Sequence, residues 1–221
     1  MSKVFPPHSR DYFRIALFVA AGIGGLVIAA TAYYVTPAYT RVGYEPLQPI
    51  QFSHKLHVGG LGMECLHCHN HVGDSPHANI PSTQTCLNCH SAKLGNVAGQ
   101  SRALAPLREA EATGRAVEWA RVHKVPDYAY FNHAVHVKRG VSCVSCHGRI
   151  DQMDIVRHDQ PLSMSWCLEC HRNPAPHLRP ADKVYDLDWS FESDEEQQEF
   201  ARTLIREAGI LPPQNCSGCH R

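Results

Sequence analysis

Five times this chain places two cysteines and a histidine in the pattern Cys-x-x-Cys-His: Cys65, Cys68 and His69; Cys86, Cys89 and His90; Cys143, Cys146 and His147; Cys167, Cys170 and His171; Cys216, Cys219 and His220. Two thiols three residues apart can each close a thioether on one edge of a porphyrin. The next residue then offers an imidazole to the iron, which makes the pattern an attachment signature for c-type haem. Other uses of paired cysteines fit poorly. A zinc site would combine cysteine pairs in twos and gives no reason for a histidine after each pair, and a thioredoxin-like redox site stands on one pair. All ten cysteines are consumed, two per pattern, so the chain calls for five covalently bound haem c groups.

His69, His90, His147, His171 and His220 are then the proximal iron ligands, and eleven of the sixteen histidines remain. A second imidazole on each iron would leave it six-coordinate and suited to passing electrons, whereas an open face would suit catalysis on a small molecule. The best distal candidates come in pairs, in Phe52-Ser-His54-Lys-Leu-His57 and Phe131-Asn-His133-Ala-Val-His136. At i and i+3 on a helix, two histidines share a face with Cβ atoms about 5–6 Å apart. That is too close to grip one iron from both sides but well placed to reach two neighbouring haems. Phe52 and Phe131 are expected to pack on porphyrin faces. For the fifth distal position His123 ranks first, then His77, then Met164 and His158; a Met164 thioether would raise that haem's potential. His67 and His71 read as solvent-facing or propionate neighbours of the first attachment turn, and His177 is left open.

These residues need elements to hold them. Each Phe-x-His-x-x-His clamp precedes two attachment turns, which defines two dihaem units in register, residues 51–93 and 127–173. Between them the linker 94–126 is expected to hold a helix from Ala98 to His123 interrupted by Pro106. The last part, 174–221, carries an acidic stretch and the fifth turn. There Ser193-x-x-Glu196 is a capping box, opening a helix expected over Asp194–Ala208 with Phe200, Ala201, Leu204 and Ala208 as its buried stripe and Gly209 as its stop. Residues 37–221 are too few to wrap five macrocycles in an ordinary apolar core. The haems themselves must be the core, so the expected fold class is mostly α with extensive loops: short helices carrying the attachment turns, long connections and little or no sheet. Fifteen glycines and fifteen prolines fit that reading.

Ahead of the chemistry lies an apolar stretch, residues 15–36, with no charged side chain. It is long enough to span a bilayer and exceeds the roughly 7–15 residues of a signal-peptide core, so it reads as an uncleaved transmembrane anchor. Lys3, Arg10 and Arg14 against Asp11 place residues 1–14 in the cytoplasm and the rest outside, the side on which haem is attached covalently. Tyr33, Tyr34 and Tyr39 would sit at headgroup depth, and Pro37 where the helix should stop. Net charge is zero, which gives no argument for nucleic acid. The acidic run 182–199 could guide a basic partner, although its carboxylates equally suit the first turn of the capped helix.

At these residues the chain resembles the pentahaem cytochrome c subunit of alternative complex III, a bacterial quinol:electron-acceptor oxidoreductase. The resemblance rests on one N-terminal anchor, five attachment turns, the two clamps, the segment from Trp119 to Asp127, and Leu162-Ser-Met-Ser-Trp-Cys167. The clamps are also similar to the distal-ligand element of small cytochromes of the c3 and c7 type. The resemblance implies an electron-transfer subunit in a bacterial cytoplasmic membrane, without a catalytic residue of its own. Its implied partners are integral-membrane and iron-sulfur subunits, a monohaem cytochrome c or another terminal acceptor, and the lipid bilayer. A quinol dehydrogenase of the NapC/NrfH type is the alternative. It is disfavoured by the paired clamps and by residues 41–51, which separate the anchor from the first clamp. Because His220 is followed by Arg221 alone, the last haem must borrow its second ligand from upstream and fold the tail back onto an earlier unit. Deleting the residues after Pro213 should therefore disturb more than one haem, seen as altered absorption or EPR signals from those that remain.

Overall fold

The structure is a computed structural model that describes residues 8–91, 93 and 101–220; Lys3 and the linker positions 94–100, where the expected helix was to begin, lie outside them. The chain divides into two units, Met1–Val42 and Gly43–Arg221. The first is built on helix α1, Ser9–Val35, none of whose side chains is buried within the chain. Its most apolar 18-residue window has a mean hydropathy of 2.3, as a span through hydrocarbon requires. The helix begins six residues before Ile15, taking in Arg10, Asp11 and Arg14. It ends because Thr36 is extended, with φ −103° and ψ 164°, the conformation forced on a residue before proline. Pro37 does not end the helical run; it opens the short α2, Pro37–Thr40, where its missing N–H costs nothing. Tyr33, Tyr34 and Tyr39 cluster there with ring centres 5.0–6.1 Å apart.

From Gly43 onward the described residues hold no strand, and two isolated bridges, Ala129 with His220 and Val141 with Leu178, are all the β pairing they show. The five attachment turns each lie on a short helix: α3 Cys65–Cys68, α4 Thr83–His90, α7 Val144–His147, α8 Met164–Arg172 and α10 Cys216–Cys219. The two clamps differ in winding. The second is the α-helix α6, His133–Lys138, capped by the Asn132 side chain, whereas the first is a π turn, Lys55–Gly60, entered from His54.

The linker departs from expectation. A 3₁₀ turn, Arg102–Leu104, leads into α5, Ala105–Thr113, and the helix stops at Gly114 with φ 68°. Pro106 sits in its first turn and starts the helix instead of interrupting it, and a left-handed glycine closes it well short of His123. Helix α9, Asp194–Glu207, keeps the expected cap, with the Glu196 N–H donating to Ser193 Oγ at 3.2 Å. The Glu196 carboxylate reaches back to the N–H of Glu192. Its stripe of Ala201, Leu204, Ile205 and Ala208 packs on Ala175, Leu178 and Ile210, while Phe200 turns aside to Phe191. A second small apolar cluster joins Ile50, Leu87 and Leu107. These pockets of packing are small for a chain of this length, as expected where cofactors supply the interior.

The two halves are docked reciprocally. In the first clamp, Ser53 Oγ donates to Asp154, Lys55 pairs with the same carboxylate, and the Lys55 N–H donates to Met153 O; both partners follow the third attachment turn. Gly59 permits this approach, since a Cβ there would stand 2.9 Å from Asp151 O. In the second clamp, the His133 N–H donates to Pro76 O, the Ala134 N–H to Ser75 O, and Lys138 pairs with Asp74, all just after the first turn. Both ion pairs are exposed and contribute little energy; the backbone bonds fix the register. The tail folds back as well, with the Tyr130 N–H donating to Cys219 O at 2.8 Å.

Gly140 joins these layers. Its φ is +84°, and a Cβ would meet Arg179 O at 2.5 Å, where the Gly140 carbonyl accepts from the Arg179 N–H. Gly140→Ala should lose about 2 kcal/mol or more of stability, read as a lowered denaturant midpoint of the haem-loaded protein.

Candidate haem-attachment centre

An iron held by two imidazoles sets a distance. With metal–nitrogen bonds of about 2 Å on each side and about 1.1 Å from nitrogen to ring centre, the two rings stand roughly 6 Å apart. Three histidine pairs meet that spacing. His57 and His90 have ring centres 6.1 Å apart, His133 and His147 6.5 Å, and His136 and His171 6.2 Å. Each joins a clamp histidine to an attachment-turn histidine, and the second clamp reaches two different turns. His54, the remaining clamp residue, lies half-buried three residues before His57.

The rings are also oriented. A hydrogen bond from Nδ1–H fixes the tautomer and leaves the Nε2 lone pair for a metal. Nδ1 lies 2.8 Å from Ser53 O in His57 and 2.8 Å from Asn132 O in His136, the carbonyl four residues earlier in each clamp. It lies 2.7 Å from Asn79 O in His69, 2.8 Å from Pro76 O in His133, 2.7 Å from Pro213 O in His171 and 3.2 Å from Tyr128 O in His220. Nδ1 of His54 and of His90 is buried without a hydrogen-bond partner. Phe52 and Phe131 do the same work in both clamps. Each stacks on the second histidine, with centres at 4.3 and 4.5 Å, and turns its edge to the first, at 4.9 and 4.7 Å. They hold the clamp imidazoles in place by ring contact.

His147 is anchored differently. Its Nδ1 lies 3.2 Å from Nε2 of His123, and the His123 ring is also hydrogen-bonded to the Arg157 backbone. His123, expected as the spare distal ligand, is thus placed against His147. Fully buried His158 stacks on its other side, with ring centres 5.4 Å apart, and is itself fixed by backbone bonds to Gly43 and Tyr44. Of the other candidates, His77 is exposed, its backbone N–H bonded to Ser75 Oγ, and Met164 is the first residue of α8, one turn before Cys167. The carbonyls that orient the rings had no signal in the sequence, because every residue type carries one.

The donor set fits covalent haem and fits a directly bound ion poorly. Among the described residues no three His, Cys, Asp or Glu side chains converge as ion ligands, and no disulfide joins any of the ten cysteines. Beside the second turn lies a cleft of about 350 Å³ lined by Ile80, Pro81, Cys86, Leu107, Val117 and Trp119, apolar as a macrocycle edge requires. Burial pushes the Cys143 thiol up to about 11 and the Cys146 thiol to about 12, with Cys65 adding to the first and Cys170 to the second. The histidines move the other way. Burial, with neighbouring imidazoles adding to it, lowers His54 and His123 to about 4 and His147 to about 3, which keeps them neutral, the form that binds iron.

Short helices bearing Cys-x-x-Cys-His turns, with imidazoles set across from them, define a multihaem cytochrome c. Comparison with known proteins agrees: residues 111–207 match the cytochrome c552 family. Over 148 residues the chain is 34% identical to the multihaem cytochrome c subunit of a menaquinone reductase from Nitratidesulfovibrio vulgaris, strain Hildenborough, covering 57% of this chain and 68% of that relative. The chain belongs to this family of multihaem cytochrome c subunits.

The lowered histidines carry a pH dependence. The unfolded chain takes up their protons near 6.5 and the folded chain only near 4 or 3, so unfolding binds protons across that interval. Denaturant midpoints should be level above pH 6.5 and fall steadily as the pH drops from there towards 4.

Proposed function

We propose that this chain is a membrane-anchored pentahaem electron relay within a quinol:acceptor oxidoreductase, the counterpart of the pentahaem subunit of alternative complex III. On this reading residues 1–14 lie in the cytoplasm, 15–36 form the anchor, and 37–221 form the extracytoplasmic haem domain. Ten cysteines hold five haems, and His69, His90, His147, His171 and His220 bind the irons on one side. His54, His57, His133 and His136 bind four of them on the other. The bound group supplies one-electron chemistry. The protein's part is to fix its two axial imidazoles, keep them neutral and leave no face open to substrate, so the quinol site belongs to partner subunits. The observation that carries this reading is the trio of histidine pairs about 6 Å apart, since a catalytic iron would need an open face. For the last haem, His123 being engaged elsewhere, Met164 is the candidate second ligand. It stands one turn before Cys167, whose thiol is influenced by Cys219 of the last turn.

Electrons would pass from iron-sulfur clusters of a neighbouring subunit to a monohaem cytochrome or other acceptor. The relative's name, a menaquinone reductase, favours a second reading in which the same relay runs towards the quinone. The full-length protein, purified with its haems, tests both. Five haems per chain, no carbon monoxide binding to the native reduced form and no direct reduction by menaquinol are expected. Rapid reduction by menaquinol alone would sink the relay reading. Haem potentials above the menaquinone couple favour the first direction, and potentials below it the second.

A further inference from the structure

The two clamps are the outer faces of a single row. The reciprocal docking described above brings the first and third attachment turns together at the middle of the domain. Cys65 Sγ approaches Tyr185 O at 3.8 Å, and Ser142, the residue before Cys143, donates to Val184 O at 2.7 Å, so the two turns share one short stretch of backbone. Each clamp then reaches outward to its own unit's second turn. His57 faces His90 on one side, and His136 faces His171 on the other. The fourth turn carries the fifth beyond it, because His171 Nδ1 lies 2.7 Å from Pro213 O and Gln214 donates to His171 O at 3.3 Å, just ahead of Cys216.

We infer that the five attachment turns form one unbranched row in the order Cys86, Cys65, Cys143, Cys167, Cys216, so that the second and fifth turns, and not the first and fifth, are its two ends. This deepens the relay reading and rests on it. Of the ten cysteines, Cys89 and Cys216 alone lie exposed, one at each end. A passing electron oxidises one ferrous iron and reduces the next ferric one at each step, with no proton or bond changing hands. Donor and acceptor subunits must therefore dock at the second and fifth turns, while the first and third exchange electrons only with neighbours inside the chain.

Iron positions in the haem-loaded full-length protein, located by anomalous diffraction at the iron edge, test the order directly. The expected map has the Cys65 and Cys143 irons as nearest neighbours across the two units. The Cys86 and Cys216 irons should have one near neighbour each. An iron at Cys86 lying nearest that of Cys143 or Cys216 overturns the order and leaves the relay intact, whereas fewer than five irons overturns the pentahaem reading itself. A kinetic measurement reads the same row in solution. His57→Met should give the end haem a thioether-to-iron absorption band, and a ruthenium photoreductant can be attached at Ile80→Cys or Leu211→Cys, both exposed positions. That band should respond first from Ile80→Cys and last from Leu211→Cys. Equal timing from both sites would count against the row.

Discussion

Two imidazoles facing each other across about 6 Å, most of them with the outer nitrogen hydrogen-bonded, is the constraint that organises this protein. Such a pair cannot be made from one short helix, because residues three apart point the same way. An attachment-turn histidine is therefore met by a histidine from another segment, as in three pairs here. The clamps do this twice over, each presenting two rings from one turn of helix. Their phenylalanines stack on the second ring and abut the first, so ligand direction is set by packing as well as by hydrogen bonds.

The hydrogen-bond acceptors of those rings are almost all backbone carbonyls, and this explains both the rigidity and the economy of the domain. A carbonyl that accepts from a buried imidazole is satisfied without a helix or sheet partner, which lets long irregular connections run through the interior. His147 is the exception, with His123 in place of a carbonyl and His158 behind it. His147 and His123, drawn below their ordinary range by burial, and fully buried His158 give the third site a shell of three imidazoles in contact.

Much of this was legible in the residues. The attachment turns, the repeated clamps and the capped acidic helix each carry a local signature, and the second clamp and the capped helix took the helical form expected of them. The rest depends on contacts between distant segments. Nothing about Pro76, Asn79 or Pro213 marks them as ring acceptors, since the contribution is a main-chain oxygen. His123 looked like a ligand because its residue type is right; its partner, His147, is a turn histidine that three-dimensional packing alone reveals. The linker helix is shorter than its residues suggest because Gly114 stops it in a left-handed conformation, and Pro106, in the first turn, favours the helix instead of breaking it. The winding of the first clamp as a π turn also has no pattern in six residues, and follows from Gly59 pressing on the backbone at Asp151.

The reciprocal docking also bears on time. The bonds that seat the first clamp join residues about a hundred positions apart, Ser53 to Asp154 with a separation of 101, and the second clamp closes onto Pro76 from His133 across 57. Neither half can finish folding while the other is still emerging, and contacts so far apart in sequence form late. The chain must therefore stay open until most of it has been made, which leaves the first thiols accessible to haem long before the clamp that will cover them has arrived.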